Sequence, residues 1–183
     1  MGSDQAYPPH TLDAGPLELR RITATDGPSV AEAVAASLEG FRPWMPWATE
    51  EATTVQAQTK RAREAVALWE DGTDYIYLGH LPGNSVVVGS FGLHRRLDAS
   101  GIEIGYWVHT AYGGNGYGTY GARALTAAAL DMPGIHRVEI HCDQANQRSR
   151  AIPERLGYRL DRIEHRDPAT PGESGKHLIW IMP

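Results

Sequence analysis

The sequence has one cysteine, no long apolar run and no excess of basic residues. Cys142 cannot form an internal disulfide or, by itself, a cysteine-based zinc site, so a reducing compartment suits the chain, and we expect the thiol to pack within a strand. No stretch approaches the ~20 apolar residues of a membrane span, and the N-terminus lacks the basic start and apolar run of a secretion signal. The sequence therefore predicts a soluble, cytoplasmic protein with no membrane partner.

The charge balance is acidic, with a net charge of -5 and a pI near 5.9. Neutralising phosphate groups requires clustered Lys and Arg, which argues against a generally basic nucleic-acid-binding surface. A local basic patch stays open around four arginines near the C-terminus: Arg148, Arg150, Arg155 and Arg159.

The length of 183 residues and the 42% hydrophobic content predict a single domain with one sizeable core. Residues 1–16 are rich in Pro, Gly and polar residues and indicate a flexible N-terminal lead. We therefore place the domain at residues 17–183.

Apolar periodicity and turn residues divide the domain into strands and helices. The segments Thr73–Leu81 and Ser85–Arg96 flank Pro82-Gly83-Asn84 and predict an antiparallel hairpin. An aromatic loop with two prolines follows the first helix at residues 41–47. The predicted order β-α-α-β-β-β-α-β-α-β-β indicates an α/β (α+β) fold in which helices pack on a mixed sheet.

A glycine-dense loop, residues 112–119, connects a strand directly to a helix. Helix N-termini leave backbone N–H groups unpaired and attract phosphate, and glycine lets an anion approach them closely. A plain turn is an equally good interpretation of the loop alone. A Rossmann loop is disfavoured because three strands precede it, and a Walker loop is disfavoured because it contains no lysine.

Three segments together resemble the GNAT acyltransferases, in particular the RimJ/RimL-like branch. They are the aromatic segment Trp44–Trp47, IGYWVHTAYGGNGYGTYGARA at residues 104–124, and RVEIHCDQANQRSRAIPERLGY at residues 137–158. The resemblance implies a mixed, mostly antiparallel sheet of about seven strands with four helices, splayed between the fourth and fifth strands. The pantetheine of acetyl-CoA or another acyl-CoA would lie in the splay like an added strand.

The resemblance also implies which residues bind the donor. Trp107 and Val108 would offer backbone contacts, and Asn146 and Ser149 would lie near the pantetheine arm and the thiol. Helix capping is an alternative role for Asn146 and Ser149. The pyrophosphate would be wrapped by Gly113, Gly114, Asn115, Gly116, Tyr117, Gly118 and Thr119.

Three positions depart from the family pattern. Gly113 stands where an Arg or Gln is usual, and Tyr120 stands where branch members commonly have Glu. Pro153 occupies the position at which many members have a tyrosine that reprotonates the CoA thiolate. Ser149 or water would therefore deliver that proton.

Transfer of an acyl group to an amine requires removal of a proton from the amine. Glu103 shares a strand face with Trp107 beside the implied splay, which suits a catalytic base acting directly or through water. Pairing with a nearby arginine, or exposure to solvent, is an equally weighted alternative. The secondary candidates for the base are His94, His109, His141 and Asp143. For each of them, a structural role is the simpler interpretation. Their spacing matches no standard metal-ligand pattern, so we predict no metal.

Trp44 and Trp47 could form a wall of the acceptor pocket or belong to the core. The first functional hypothesis is N-acetyl transfer from acetyl-CoA to a small-molecule amine or a protein N-terminus. The second is a non-catalytic CoA-binding module, and the third is an acyltransferase that uses another donor such as acyl-tRNA. The sequence leaves room for a homodimer.

Overall fold

In the computed structural model, which describes residues 7–183, eight strands form one sheet flanked by four α-helices. The strands are β1 (Thr11–Ala14), β2 (Leu17–Arg21), β3 (Asp74–His80), β4 (Gly89–His94), β5 (Gly101–Val108), β6 (Arg137–Asp143), β7 (Arg159–His165) and β8 (Lys176–Met182). The helices are α1 (Gly27–Phe41), α2 (Val55–Glu70), α3 (Tyr117–Leu130) and α4 (Gln147–Leu156). Short 3-10 turns occur at Glu51–Thr53 and Thr110–Tyr112.

The sheet has the order β1-β2-β3-β4-β5-β6-β8-β7. Neighbouring strands of the sheet are antiparallel except for the parallel pair β5 and β6. The mixed, mostly antiparallel fold is confirmed, and so is the hairpin of β3 and β4. No helix among residues 7–183 is long and apolar enough to cross a membrane.

The start of the sheet differs from the expectation of a flexible lead through residue 16. Thr11–Ala14 forms β1 and pairs with β2, with Leu12 opposite Leu19. This short strand raises the count from about seven to eight. The Asp13 carboxylate accepts a bond from the Gly15 N–H at 2.8 Å, which supports the tight turn into β2. Residues 1–6 of the expected lead lie outside the described residues.

Apolar cores fill both faces of the sheet. On one face, α1 and α2 pack on β3, with Val34 in a cluster that includes Leu78 and Val87. On the other face, α3 lies so close to the sheet that a Cβ at Gly121 would overlap the ring of Phe91. Glycine at residue 121 therefore sets the approach of α3, the helix that follows the glycine-dense loop.

The strands β5 and β6 pair over only part of their length. Their parallel register runs from Gly101 opposite Arg137 to Ile104 opposite Ile140, although β5 continues to Val108 and β6 to Asp143. On their other sides, β5 stays paired with β4 and β6 with β8. The sheet consequently opens into a slot beyond Ile104, and the expected splay is confirmed. It lies between the fifth and sixth strands because β1 precedes them all.

Candidate functional site

The slot begins where Gly105 and His141 follow the last pair of β5 and β6. Trp107 and Val108, the residues predicted to offer backbone contacts, lie on the diverging part of β5. The side chain of Trp107 packs on Phe41 of α1, with ring centroids 5.3 Å apart. This packing attaches the diverging part of β5 to α1. Beyond Ile104 the edge of β5 toward β6 has no strand partner, so an extended ligand can pair with it.

The glycine-dense loop closes one end of the slot. Gly114 has φ +84° and Gly116 has φ +78°, a conformation that glycine adopts at little cost. Gly116 is the N-cap of α3 and leaves the first turn without a side-chain cap. The early N–H groups of Tyr117, Gly118 and Thr119 therefore have no helical acceptor and carry the positive end of the helix dipole. Such an arrangement suits a diphosphate.

The other predicted loop residues shape this cradle. The Asn115 side chain donates to the backbone oxygen of Tyr112 at 3.1 Å, so it braces the loop. Gly113 is exposed and extended, with φ -62° and ψ 150°. A Cβ at Gly118 would lie 2.8 Å from Ile152, so the small residue lets α3 pack against α4.

Asn146 and Ser149 lie at the start of α4, on the side of the slot opposite to β5. The Asn146 side chain accepts a hydrogen bond from the Ser149 N–H at 3.1 Å, so Asn146 caps the helix as the alternative interpretation expected. The hydroxyl of Tyr106, on β5, lies 3.4 Å from the Ser149 Oγ. Tyr106 and Ser149 thus link β5 to the start of α4, the helix that follows β6.

Tyr106 was not among the residues that the sequence analysis assigned to the site. Its hydroxyl also donates to the backbone oxygen of Ser149 at 3.3 Å. Burial raises the pKa of Tyr106 above its usual value, so the phenol keeps its proton. The sequence signal was Pro153, which lacks the N–H that would otherwise bond to that Ser149 oxygen.

Glu103 lies on the face of β5 opposite to that of Tyr106, and it is buried beside the start of the slot. Both carboxylate oxygens accept bonds from Arg96, one of them from Nε at 2.7 Å. Burial alone would raise the pKa of Glu103, but the hydrogen bonds and the charge of Arg96 oppose it, and the pKa lies below its usual value. Of the interpretations left open by the sequence, pairing with a nearby arginine is the one observed.

Three of the secondary candidates make hydrogen bonds outside the slot, although His94 also lies opposite Glu103 on the neighbouring strand β4. His94 Nδ1 lies 2.9 Å from an Asp74 oxygen, and His109 accepts from the Ala111 N–H at 3.1 Å. Asp143 accepts bonds from the loop before β8, including the Ser174 hydroxyl at 2.8 Å. Among residues 7–183, no group of three or more His, Cys, Asp and Glu side chains is arranged to hold a metal ion.

His141 is the secondary candidate that faces the site. Its Nδ1 lies 3.5 Å from Glu103 Oε2, and its Nε2 lies 2.6 Å from Glu139 Oε2. Glu139 is buried and also accepts a bond from Arg137 Nε at 2.8 Å. The divergence of β5 and β6 therefore places an imidazole and two carboxylates beside the slot.

The two tryptophans of the aromatic loop have different surroundings. Trp47 packs on Phe41 with ring centroids 5.8 Å apart and receives the guanidinium of Arg61 over its ring. Trp44 is half-buried and belongs to none of the apolar clusters in the described chain. The loop between β7 and β8 reaches this segment, because the Thr170 hydroxyl donates to the Pro43 oxygen at 2.6 Å.

A cavity of about 650 Å³ lies elsewhere, between α1 and the hairpin of β3 and β4. Its charged lining includes Arg20 and Asp26, which form an ion pair at 2.8 Å. Of the residues predicted for donor binding or catalysis, only the secondary candidate His109 lines this cavity.

Residues 16–159 match the family described as the acetyltransferase (GNAT) domain. The chain belongs to the GNAT acetyltransferase family. The resemblance inferred from the three segments is therefore confirmed, and the expected enzyme class of acyl-CoA-dependent N-acetyltransferases is the class to which the family belongs.

A curated relative and three solved structures are similar to this chain. The "Putative ribosomal N-acetyltransferase YdaF" of Bacillus subtilis is 39% identical over 56 residues, a match that spans 31% of this chain and 31% of that protein. The structure of Mycobacterium smegmatis RimJ in complex with CoA-disulfide has a TM-score of 0.84 at 21% identity, covering 96% of this chain and 89% of that one.

Two further solved structures have the same fold. The ribosomal L7/L12 alpha-N-protein acetyltransferase RimL in complex with coenzyme A has a TM-score of 0.84 at 19% identity, with 94% of this chain and 97% of that chain covered. The Microcin C7 self immunity acetyltransferase MccE, in complex with acetyl-CoA and AMP, has a TM-score of 0.84 at 17% identity, with 95% and 96% covered.

Proposed function

We propose that this GNAT enzyme transfers an acetyl group from acetyl-CoA to a primary amine, and that its acceptor is the α-amino group of a protein N-terminus. The observation that carries the proposal is the end of pairing at Ile104 and Ile140, which opens a slot between the glycine-dense loop and the carboxylates of Glu103 and Glu139. The names of the RimL and YdaF relatives support the choice of acceptor.

The donor would enter from the loop end of the slot. Pantetheine would pair with the free edge of β5 at Trp107 and Val108, as in strand addition. Asn146 and Ser149 would line the opposite side of the slot, near the thiol. The diphosphate would contact backbone N–H groups at the start of α3, within the segment Gly113, Gly114, Asn115, Gly116, Tyr117, Gly118 and Thr119.

The reaction requires no nucleophilic residue of the protein. The amine nitrogen attacks the thioester carbonyl carbon, a C–N bond forms, and the C–S bond breaks to release a thiolate. The amine loses one proton and the thiolate gains one. Holding both substrates in line converts a bimolecular collision into an intramolecular step, which contributes much of the rate.

We assign Glu103 to the charged acceptor amine and Ser149 to the leaving thiolate. Glu103 stays ionised because its pKa is lowered, so it can attract the ammonium form of the acceptor. Ser149 lies on the thiol side, within reach of the Tyr106 phenol. Trp44 and Trp47 flank the acceptor side, and each has an incompletely buried ring.

Two measurements test the proposal. Calorimetric titration with CoA should give binding, and thiol release from acetyl-CoA should require an amine, with peptides bearing a free N-terminus preferred over their N-acetylated controls. CoA binding without turnover on peptides or small amines would favour a binding module. Failure to bind CoA would favour another acyl carrier, whereas preference for small amines would overturn the choice of acceptor alone.

A further inference from the structure

We propose that His141 is the catalytic residue that accepts the proton from the acceptor amine, and that buried Glu139 positions it. This inference rests on the proposed amine acetylation. Its basis is the placement of an imidazole at the first residue of β6 beyond the last pair with β5, between the carboxylates of Glu103 and Glu139.

Glu139 fixes the tautomer of His141. An ionised carboxylate only accepts hydrogen bonds, so the 2.6 Å contact requires the proton of the neutral ring to lie on Nε2. Glu139 cannot turn away easily, because its side chain is only 2% exposed and its other oxygen is bonded to Arg137. The lone pair of His141 therefore lies on Nδ1.

The free ring nitrogen faces Glu103. The 3.5 Å separation between Nδ1 and Glu103 Oε2 exceeds a normal N–H···O bond, and that oxygen is already bonded to Arg96. An ammonium group beside this pair would be attracted by the Glu103 carboxylate and could give a proton to Nδ1. A neutral amine then attacks, and the ring carries the proton between the two carboxylates.

The charged groups around Glu103 and His141 come from the neighbouring strands and from the loop before β5. On β4, His94 lies opposite Glu103, and its Nδ1 lies 2.9 Å from an oxygen of Asp74 on β3. Glu103 and Arg96 come from β5 and the loop before it, and Glu139 and Arg137 from β6. Arg162 of β7 lies 3.9 Å from Glu139. Since Glu103 is paired with Arg96 while His141 Nδ1 has no hydrogen-bond partner among residues 7–183, His141 is the better proton acceptor.

The first experiment compares His141→Gln with wild type and with His136→Gln, the same change at an exposed loop residue. His141→Gln should lower kcat by about 100-fold and leave the Kd for CoA unchanged. The deficit should shrink for an acceptor such as a hydrazide, which is already neutral at the assay pH. His136→Gln should match wild type.

The second experiment does not depend on turnover. In 15N-histidine-labelled wild-type protein, long-range proton–nitrogen correlations should show the neutral His141 ring protonated on Nε2. Glu139→Gln should lower kcat with little change in acceptor KM, because it removes the group that selects this tautomer.

Three outcomes would overturn the role of His141. The first is that His141→Gln leaves both turnover and its pH profile unaltered. The second is that His141→Gln lowers kcat equally for neutral and protonated acceptors. The third is that the neutral His141 ring of the wild type is protonated on Nδ1. Absence of wild-type turnover with every acceptor would instead overturn the proposed function together with this role.

Discussion

The Tyr106 hydroxyl donates a hydrogen bond to the backbone oxygen of Ser149 at 3.3 Å. In a regular helix this oxygen would accept the N–H of the residue four positions later. That residue is Pro153, which has no N–H, so the phenol of a neighbouring strand occupies the free acceptor. The departure that removes a tyrosine from α4 thus brings another tyrosine to the same end of the slot.

Tyr106→Phe should lower kcat by about tenfold if the phenol helps to return a proton to the leaving thiolate. Loss of the bond to the Ser149 oxygen should also destabilise the fold by about 1 kcal/mol. Ser149→Ala keeps the phenol and the backbone bond. A larger loss of kcat in Ser149→Ala than in Tyr106→Phe would instead assign the proton delivery to the serine.

Gly114→Ala should weaken CoA binding by about fivefold, because a side chain at positive φ strains the loop by about 1 kcal/mol. Gly134→Ala is a matched control: its φ is +79° against +84° at Gly114, and a Cβ would meet nothing within 4 Å at either position. Both variants should lose similar thermal stability. Equal Kd values for CoA in the two variants would count against the loop as the phosphate site.

Arg96→Gln should raise the pH at which the protein unfolds in acid. The folded-state pKa of Glu103 lies below its unfolded value, so its ionisation contributes stability above the unfolded pKa, and this contribution is lost as the pH falls through the folded pKa. Removing Arg96 raises the folded pKa, and the loss then begins at a higher pH. Circular dichroism against pH measures the midpoint.

Arg159→Gln serves as the control for that titration. Arg159 is exposed, and its pair with Asp161 at 3.4 Å lies on the surface, where an ion pair contributes little. Its acid midpoint should equal that of wild type. An unchanged midpoint in Arg96→Gln as well would show that Glu103 does not depend on Arg96.

Trp44→Ala and Trp47→Ala should separate contact with the acceptor from support of the fold. Trp47 packs on Phe41 and near α2, so its truncation should cost about 2 kcal/mol of unfolding free energy. Trp44 lies outside the apolar clusters of residues 7–183, and its truncation should chiefly raise the acceptor KM. Denaturant unfolding and steady-state kinetics measure the two effects, and an unchanged KM in Trp44→Ala would exclude the contact.

Local sequence determined most of the elements. Apolar alternation and the Pro82-Gly83-Asn84 turn fixed the hairpin of β3 and β4, and the Pro133-Gly134 pair marks the end of α3. β1 was missed because its four residues, TLDA, are too short for a clear alternation and are held by pairing with β2. The start of α4 shows the same limit: the capping role of Asn146 was readable from the sequence, but the contact of Ser149 with Tyr106 was not.

The sequence by itself determined the family, the loop that can bind phosphate and the strand that carries Glu103, because these depend on short contiguous patterns. Only the tertiary structure decided where β5 leaves β6, that Arg96 holds Glu103, and that His141 lies between two carboxylates. Residues 103 and 141 are distant in the chain, and their approach depends on the parallel register set by the packed α3 crossover. A local pattern contains no information about that register.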